Sequence, residues 1–194
     1  MSADERLRLF CALRLPSEAA ERIGRWQAEC LRGGRVPPEQ LHVTLTFLGS
    51  RPPGDAAAVV AILRGAALAA GGLAFGVSGY RETRSARMLV FADEGGGATA
   101  LAARLQERLA SEGFYRAEQR EWLPRLTVLR FRGRPRLAPT PPGLDEIAPS
   151  DAAVFISGLR STGAHYDVLE AVSLGGDEGG SRAGSGGRPR ADRA

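Results

Sequence analysis

The chain has 194 residues, of which 43% are hydrophobic and 25% are charged, and its formal net charge is +4 at pH 7. These proportions are typical of an ordinary soluble globular protein, long enough for one substantial domain or for two small lobes that share a core. Arg and Gly residues interrupt every apolar run, so none reaches the roughly 20 residues that a membrane-spanning helix requires. The N-terminal residues 1–6 contain acidic side chains and lack the apolar core of a signal peptide, which favours a cytoplasmic protein.

Hydrophobic periodicity predicts single helices interspersed among strands. The first strand covers 7–15, and Ser17 is the predicted N-cap of a first helix, which Gly33 and Gly34 end. The remaining elements follow in this order: a strand over 41–49, a helix from Asp55 to Ala70, strands over 73–80 and 87–92, a helix capped by Thr99, a strand over 125–133, and a closing hairpin of strands over 154–159 and 166–174.

Residues 175–194 contain no bulky apolar side chain. Such a segment buries too little surface to offset its ordering entropy. We therefore predict one domain over 1–174, followed by a disordered tail over 175–194.

The sequence offers few ligands for a metal or a cofactor. Cys11 and Cys30 match no zinc or redox spacing, and we interpret both as buried thiols. His42 and His165 are the only imidazoles, which argues against a structural metal site. We predict a protein without metal or cofactor.

All 26 basic residues are Arg and none is Lys. The nucleotide composition of the source explains this bias as well as function does, but the Arg fork also suits phosphate oxygens. Five of these residues gather in one short stretch: Arg125, Arg130, Arg132, Arg134 and Arg136. Two interpretations stay open for this cluster, a solvated face and a site for an anionic ligand.

The strand over 41–49 carries side chains suited to catalysis. Alternation puts its polar residues on one face and its apolar residues on the other: His42, Thr44 and Thr46 against Val43, Leu45 and Phe47. An imidazole moves protons near neutral pH, and a hydroxyl donates to an oxyanion. A surface strand with one His is the alternative.

The strand over 125–133 repeats this pattern, with Arg125 in the place of His42 and Thr127 in the place of Thr44. Each copy follows a Pro-containing approach and ends at a Gly. Such an internal repeat predicts two similar lobes, each of which contributes one strand to a shared cleft. We expect these four side chains to lie close enough for a single phosphate to contact all of them.

Four sequence blocks resemble the two-histidine (2H) phosphoesterases, and in particular the RNA 2′,3′-cyclic phosphodiesterases. They lie, in order, at 8–13, 36–45, 123–128 and 159–169. The resemblance runs from about Leu7 to Leu174. It implies an α+β fold in which two pseudo-symmetric lobes of antiparallel sheet, with helices on their outer sides, surround a central cleft.

The resemblance also implies a chemistry: metal-independent hydrolysis of 2′,3′-cyclic phosphate ends of RNA or nucleotides to 2′-phosphomonoesters. By resemblance His42 is the proton donor, and Thr44 and Thr127 hold the non-bridging oxygens. The second motif of the family normally carries a His where this chain has Arg125. Arg cannot act as a base at neutral pH but binds phosphate well, so Arg125 and Arg130 are candidate substrate-binding residues.

Arg125 leaves three functions open. The first is a slow phosphodiesterase that works through His42 alone, since one acid–base group typically contributes about 10²- to 10⁴-fold in rate. The second is a non-catalytic module that binds nucleotides or RNA ends, and the third is a general basic RNA-binding protein. Nothing in the spacing of His165 pairs it with His42, so we expect it outside the cleft. We expect a monomer without a membrane partner.

Overall fold

The computed structural model describes residues 6–118, 120–131, 139–160 and 163–175. Its helices and strands are β1 (Leu7–Arg14), α1 (Ser17–Cys30), β2 (His42–Arg51), α2 (Ala56–Leu68), β3 (Ala74–Glu82), β4 (Ala86–Glu94), α3 (Gly97–Ser111), β5 (Arg125–Arg130), β6 (Asp151–Arg160) and β7 (Gly163–Val172). A short 3₁₀ turn, Pro38–Gln40, leads into β2. The predicted order of strands and helices is confirmed, with ends that differ by a few residues.

Seven strands of the described chain form one antiparallel sheet in the order β3-β4-β5-β2-β1-β6-β7. One half contains β1, β2, β6 and β7, and the other contains β3, β4 and β5. The two motif strands, β2 and β5, join the halves through the pairing of Val43 with Leu126. The predicted α+β class with antiparallel strands is confirmed, and the motif strands are neighbours at the seam between its halves.

The main core lies on the face of the sheet that the three helices cover. The strand register produces a buried row across five adjacent strands, in which every side chain is 0% exposed: Leu89, Leu126, Val43, Leu13 and Ala152. Helix residues complete this cluster, among them Ile23, Leu63 and Leu105. The opposite face carries a separate, smaller apolar cluster of Phe10, Ala12, Ala153 and Phe155. This second face is the one on which the predicted site residues lie.

Two of the predicted helix caps were wrong. Helix α1 begins at Ser17 itself, with Pro16 at the N-cap position and no capping side chain. Helix α3 begins before Thr99, at Gly97. The carboxylate of Asp93, in the preceding strand, accepts a hydrogen bond from the backbone N–H of Thr99 at 2.7 Å. The partner of these first amides therefore comes from outside the helix.

None of the described helices is long and apolar enough to cross a membrane. Of the predicted tail, only Gly175 lies within the described residues, and its backbone N–H donates to the carbonyl of Ala67 at 2.8 Å. The predicted disorder of 176–194 lies outside the described residues, as do three members of the Arg cluster: Arg132, Arg134 and Arg136.

Candidate active site

The pairing of β2 with β5 brings the predicted site residues onto one face. Val43 and Leu126 lie opposite each other in antiparallel strands, and both side chains point into the core. Their neighbours in each strand point to the other face. These neighbours oppose each other in two pairs: His42 with Thr127, and Thr44 with Arg125. Opposed Cα atoms in such strands are about 4.5 to 5.5 Å apart, so the backbone positions of the four residues are neighbours on this face.

A β-bulge in β2 changes which side chains face the cleft. Thr44 and Thr46 pair with consecutive residues of β1, so Leu45 between them is an extra residue. One extra residue reverses the alternation beyond it. The prediction that Thr46 faces the cleft and Phe47 the core was therefore wrong: Thr46 is 4% exposed and Phe47 is 58% exposed. Phe47 instead packs on the cleft face against Phe10, with 5.6 Å between ring centroids.

Strand β5 contains the equivalent bulge. Thr127 and Leu129 pair with consecutive residues of β4, which makes Val128 the extra residue. The reversal turns Arg130 onto the cleft face, where its Nη2 donates a hydrogen bond to the hydroxyl of Tyr166 at 2.8 Å. Arg130 thus occupies in β5 the position that Phe47 occupies in β2.

A helix glutamine holds each bulge from the core side. In α3, Nε2 of Gln106 donates to the carbonyl of Leu45 at 2.9 Å. In α1, Nε2 of the buried Gln27 donates to the carbonyl of Val128 at 2.6 Å. Neither residue was predicted from the sequence. The available signal is a Gln within the apolar stripe of a helix, because a buried amide needs hydrogen-bond partners.

The ring of His42 is fixed in one tautomer. It lies among Phe10, Phe155 and Tyr166, at centroid distances of 5.0, 5.5 and 5.1 Å. Its Nδ1 is 2.7 Å from the backbone carbonyl oxygen of Gln40. Because a carbonyl only accepts, Nδ1 carries the proton and Nε2 keeps its lone pair.

The pKa of His42 is lowered from its ordinary value to about 4. Burial is the main cause, since it disfavours the charged form. The hydrogen bond to the carbonyl of Gln40 opposes this effect, and the positive charge of Arg130 adds to it. The ring is therefore neutral at pH 7 in the free protein, and Nε2 is available to accept a proton.

The second imidazole, His165, is connected to His42 through one residue. Its Nδ1 lies 3.4 Å from Nε2 of Gln40, the residue whose carbonyl holds His42. Its Nε2 lies 2.9 Å from the carboxylate of Asp167. Both ring nitrogens therefore have protein partners. The spacing of His165 in the sequence did not indicate this connection, because it depends on the hairpin of β6 and β7.

Cavities flank the motif strands on two sides. One has a volume of about 450 Å³ and is bounded by His42, Arg14 and Phe155, together with the start of α1. The other opens beside Thr44 and Arg125. Within the described residues, no three His, Cys, Asp or Glu side chains lie close enough together to hold a metal ion.

The chain is similar to known phosphoesterases in sequence. The model of the family described as LigT like Phosphoesterase matches residues 13–84. An RNA 2′,3′-cyclic phosphodiesterase of Thermus thermophilus is 34% identical over an alignment of 201 residues, which covers 96% of this chain and 100% of the relative. The chain belongs to the LigT-like phosphoesterase family. The family match includes His42 and Thr44 and ends before Arg125 and Thr127.

Solved structures of LigT-like phosphoesterases share this fold. Escherichia coli LigT in complex with NADP+ has a TM-score of 0.74 at 24% identity, over 88% of this chain and 99% of that chain. E. coli LigT in complex with 3′-AMP has a TM-score of 0.72 at 24% identity, over 88% and 100% of the two chains. A protein of Thermus thermophilus has a TM-score of 0.69 at 31% identity, also over 88% and 100%. The antiparallel sheet of this LigT-like phosphoesterase is therefore the family architecture.

Proposed function

We propose that this protein is an RNA 2′,3′-cyclic phosphodiesterase, which opens the cyclic phosphate at an RNA end to a 2′-phosphomonoester. Membership of the LigT-like family and the activity that names the Thermus relative support this function. The observation that carries it is the placement of four side chains on one face of two adjacent strands: His42, Thr44, Arg125 and Thr127.

The two Thr hydroxyls bind the phosphate in this proposal. Thr44 and Thr127 lie on neighbouring strands, each opposite a nitrogen-bearing side chain. Each hydroxyl donates a hydrogen bond to a non-bridging oxygen, whose negative charge grows in the transition state. The guanidinium of Arg130, held by Tyr166 at the His42 end of the cleft, adds positive charge beside the same group.

His42 acts as the base. Its Nε2 accepts a proton from water while the water oxygen forms a bond to phosphorus and the bond from phosphorus to the ribose 3′-oxygen breaks. The guanidinium of Arg125 stabilises the charge on that leaving oxygen, which takes its proton from solvent because Arg retains its own. This assignment reverses the role that the family resemblance implied for His42, since a ring with a pKa of about 4 is not an imidazolium at pH 7.

A nucleoside 2′,3′-cyclic phosphate, assayed in the presence of a chelator, tests this function. We expect slow conversion to the 2′-phosphate by the wild-type protein, and a loss of about 100-fold or more in kcat for His42→Ala. Arg25→Gln is the control, because it removes an exposed side chain of α1 and should leave kcat essentially unchanged. Wild-type turnover in His42→Ala would refute the assignment.

A second function has one observation in its favour. Arg125 occupies the place of the second family His, and Arg binds phosphate without transferring a proton. A module that only binds cyclic-phosphate ends would show affinity for the same nucleotide in calorimetric titration and no turnover. The two measurements, made on one preparation, separate the enzyme from the module.

We further propose that the protein works as a monomer in the cytoplasm. Cys11 and Cys30 are both free thiols, which suits a reducing compartment. The four side chains of the candidate site all come from one chain, so the site needs no partner subunit. Light scattering of the purified protein tests the oligomeric state.

A further inference from the structure

We propose that His165 is a positioning residue for His42, and that it acts through the side chain of Gln40. This inference rests on the proposed function, in which Nε2 of His42 accepts a proton from water. That role requires the proton of the neutral ring to stay on Nδ1, because only the nitrogen without a proton can accept one. The backbone carbonyl of Gln40, 2.7 Å from Nδ1, holds the proton there. A group that fixes Gln40 in place therefore acts on His42.

The carbonyl of Gln40 lies just outside the sheet. Gln40 is the last residue of the 3₁₀ turn Pro38–Gln40, and strand β2 begins two residues later, at His42. The ladder between β1 and β2 ends at the pair of Arg14 with His42. A single 3₁₀ turn has poorer hydrogen-bond geometry than an α-helix. A side-chain contact of Gln40 therefore adds a restraint that the sheet does not supply.

His165 supplies this contact with matched donors and acceptors. Its Nε2 lies 2.9 Å from Oδ1 of Asp167, and because a carboxylate only accepts, that nitrogen carries the proton. In the neutral ring Nδ1 then keeps its lone pair, and it lies 3.4 Å from Nε2 of Gln40, which is a donor. The three side chains thus form a chain of hydrogen bonds in which each donor meets an acceptor.

Two consecutive residues of β7 contact the two halves of the sheet. His165 contacts Gln40 before β2, whereas the hydroxyl of Tyr166 accepts a hydrogen bond from Nη2 of Arg130 in β5 at 2.8 Å. Strand β7 is separated from β2 by β6 and β1, so these side chains join it to motif strands with which it does not pair. The ring of Tyr166 also lies edge-on to His42, with 5.1 Å between centroids. One contact therefore reaches the proposed base, and the other reaches a phosphate-binding Arg.

Loss of the His165 contact should weaken the control of the His42 tautomer. With Gln40 less restrained, the ring should spend part of its time with the proton on Nε2, which then cannot accept a proton from water. A wholly wrong tautomer costs a catalytic His about 10⁴-fold in kcat, whereas loss of a group that only orients a functional His costs about 10- to 100-fold. The carbonyl of Gln40 remains on the backbone, so the smaller loss applies.

Two substitutions at position 165 separate the hydrogen bond from the space that the ring fills. His165→Asn keeps an acceptor close to the place of Nδ1, whereas His165→Leu has none. With a nucleoside 2′,3′-cyclic phosphate, we expect His165→Leu to lose about 10- to 100-fold in kcat with little change in KM. His165→Asn should retain most of the wild-type kcat. Tyr166→Phe should instead raise KM, since it removes the hydroxyl that holds Arg130, and the control Arg25→Gln should change neither constant.

Nitrogen NMR of the imidazoles reports the tautomer and needs no turnover. The chain contains two His residues, so His165→Leu leaves His42 as the one imidazole in the spectrum. In the wild type, the nitrogen chemical shifts of His42 should show a proton on Nδ1 and none on Nε2. In His165→Leu the two shifts should move towards each other, because the ring then exchanges between tautomers. In His165→Asn they should stay as in the wild type.

A double-mutant cycle tests the route through Gln40. Gln40→Leu removes the amide but keeps the backbone carbonyl that binds His42, so it should reproduce both effects of His165→Leu. The double variant should lose no more kcat than either single variant, because both substitutions remove the same hydrogen bond. Losses that multiply in the double variant would place His165 outside this route and overturn the inference.

Other results would overturn it as well. A proton on Nε2 of His42 in the wild type would do so, as would wild-type shifts in folded His165→Leu. Equal losses of kcat in His165→Leu and His165→Asn would mean that the ring matters only for its size. If His165→Leu does not fold, Gln40→Leu carries the same expectation. An absence of wild-type turnover would refute the proposed hydrolysis, and the NMR comparison would still decide whether His165 controls the His42 tautomer.

Discussion

Replacement of Arg125 by His tests whether the second motif position limits catalysis. Position 125 lies opposite Thr44 on the cleft face, and His42 lies diagonally across from it. An imidazole at this position can give a proton to the departing ribose oxygen, while His42 takes a proton from the attacking water. The strand needs no other change, because Leu126 is already buried and Thr127 already faces the cleft.

Two effects of this replacement oppose each other. A general acid contributes about 10²- to 10⁴-fold in rate, or roughly 2.7 to 5.5 kcal/mol. Loss of the guanidinium charge weakens phosphate binding. Two unit charges 4 Å apart attract each other by about 1 kcal/mol in bulk water and by about 4 kcal/mol at the lower effective dielectric constant near a protein surface. Arg125 is exposed, so the lower figure applies. We expect Arg125→His to raise kcat by about 100-fold or more and to raise KM by about fivefold.

Initial rates with a nucleoside 2′,3′-cyclic phosphate, measured across pH at several substrate concentrations, separate kcat from KM. Arg125→Gln is the control, because it removes the charge without supplying a proton. It should raise KM and lower kcat, since the leaving oxygen then loses the positive charge that stabilises it. The gain in Arg125→His should decline at alkaline pH as the introduced imidazole loses its proton. A folded variant without any gain in kcat would refute the reasoning and favour the binding module.

Four further outcomes are expected. Gln27→Leu removes an amide that donates to two buried carbonyls, so urea denaturation should show a loss of about 1 to 3 kcal/mol in the free energy of unfolding. Gln106→Leu removes only one such hydrogen bond and should cost less. Equal losses in the two variants would show that the number of these hydrogen bonds does not determine the loss of stability. The pKa of His42 is lowered to about 4 in the folded protein. If His42 acts as the base, kcat/KM should rise with pH up to about 4 and then stay level. A fall of kcat/KM around pH 4 would instead mean that His42 donates its proton. The same shift means that the unfolded chain binds a proton which the folded chain excludes, so stability should be lost as pH falls from about 6.5 towards 4, and less so in His42→Ala. Removal of residues 176–194 should leave Tm and activity unchanged, and a marked drop in Tm would show that this segment packs.

The sequence was sufficient to predict the two motif strands and to place His42 and Thr44 on one face of the first of them. Alternation identified both motif strands, and the repeated Thr indicated that they line one cleft. The same alternation misplaced Thr46 and Phe47, because it assumes an uninterrupted pleat. The bulge at Leu45 is stabilised by Gln106 in α3, a residue 61 positions away. A hydrogen bond between residues so far apart in the sequence cannot be predicted from local patterns.

Local sequence patterns also could not predict the environment of His42. Its lowered pKa depends on burial among rings from β1, β6 and β7, and on the charge of Arg130. The link from Gln40 to His165 joins the turn before β2 to the closing hairpin. Each of these contacts forms only when distant strands become neighbours in the sheet.

The pairing of Val43 with Leu126 places a local twofold axis at the centre of the site. A tetrahedral phosphate has twofold axes of its own, so Thr44 and Thr127, which this axis exchanges, cannot distinguish one direction of a bound ester from the other. The direction in which an RNA strand enters the site is decided only where the two halves of the sheet differ.

Those differences lie in two pairs of corresponding positions. His42 corresponds to Arg125, and Phe47 corresponds to Arg130. One end of the cleft therefore presents a flat apolar ring, and the other presents a cation. Inorganic phosphate should bind this site in either orientation, whereas an RNA end should bind in one. The direction in which the substrate binds is therefore set by these differences between two halves of the sheet that are otherwise alike.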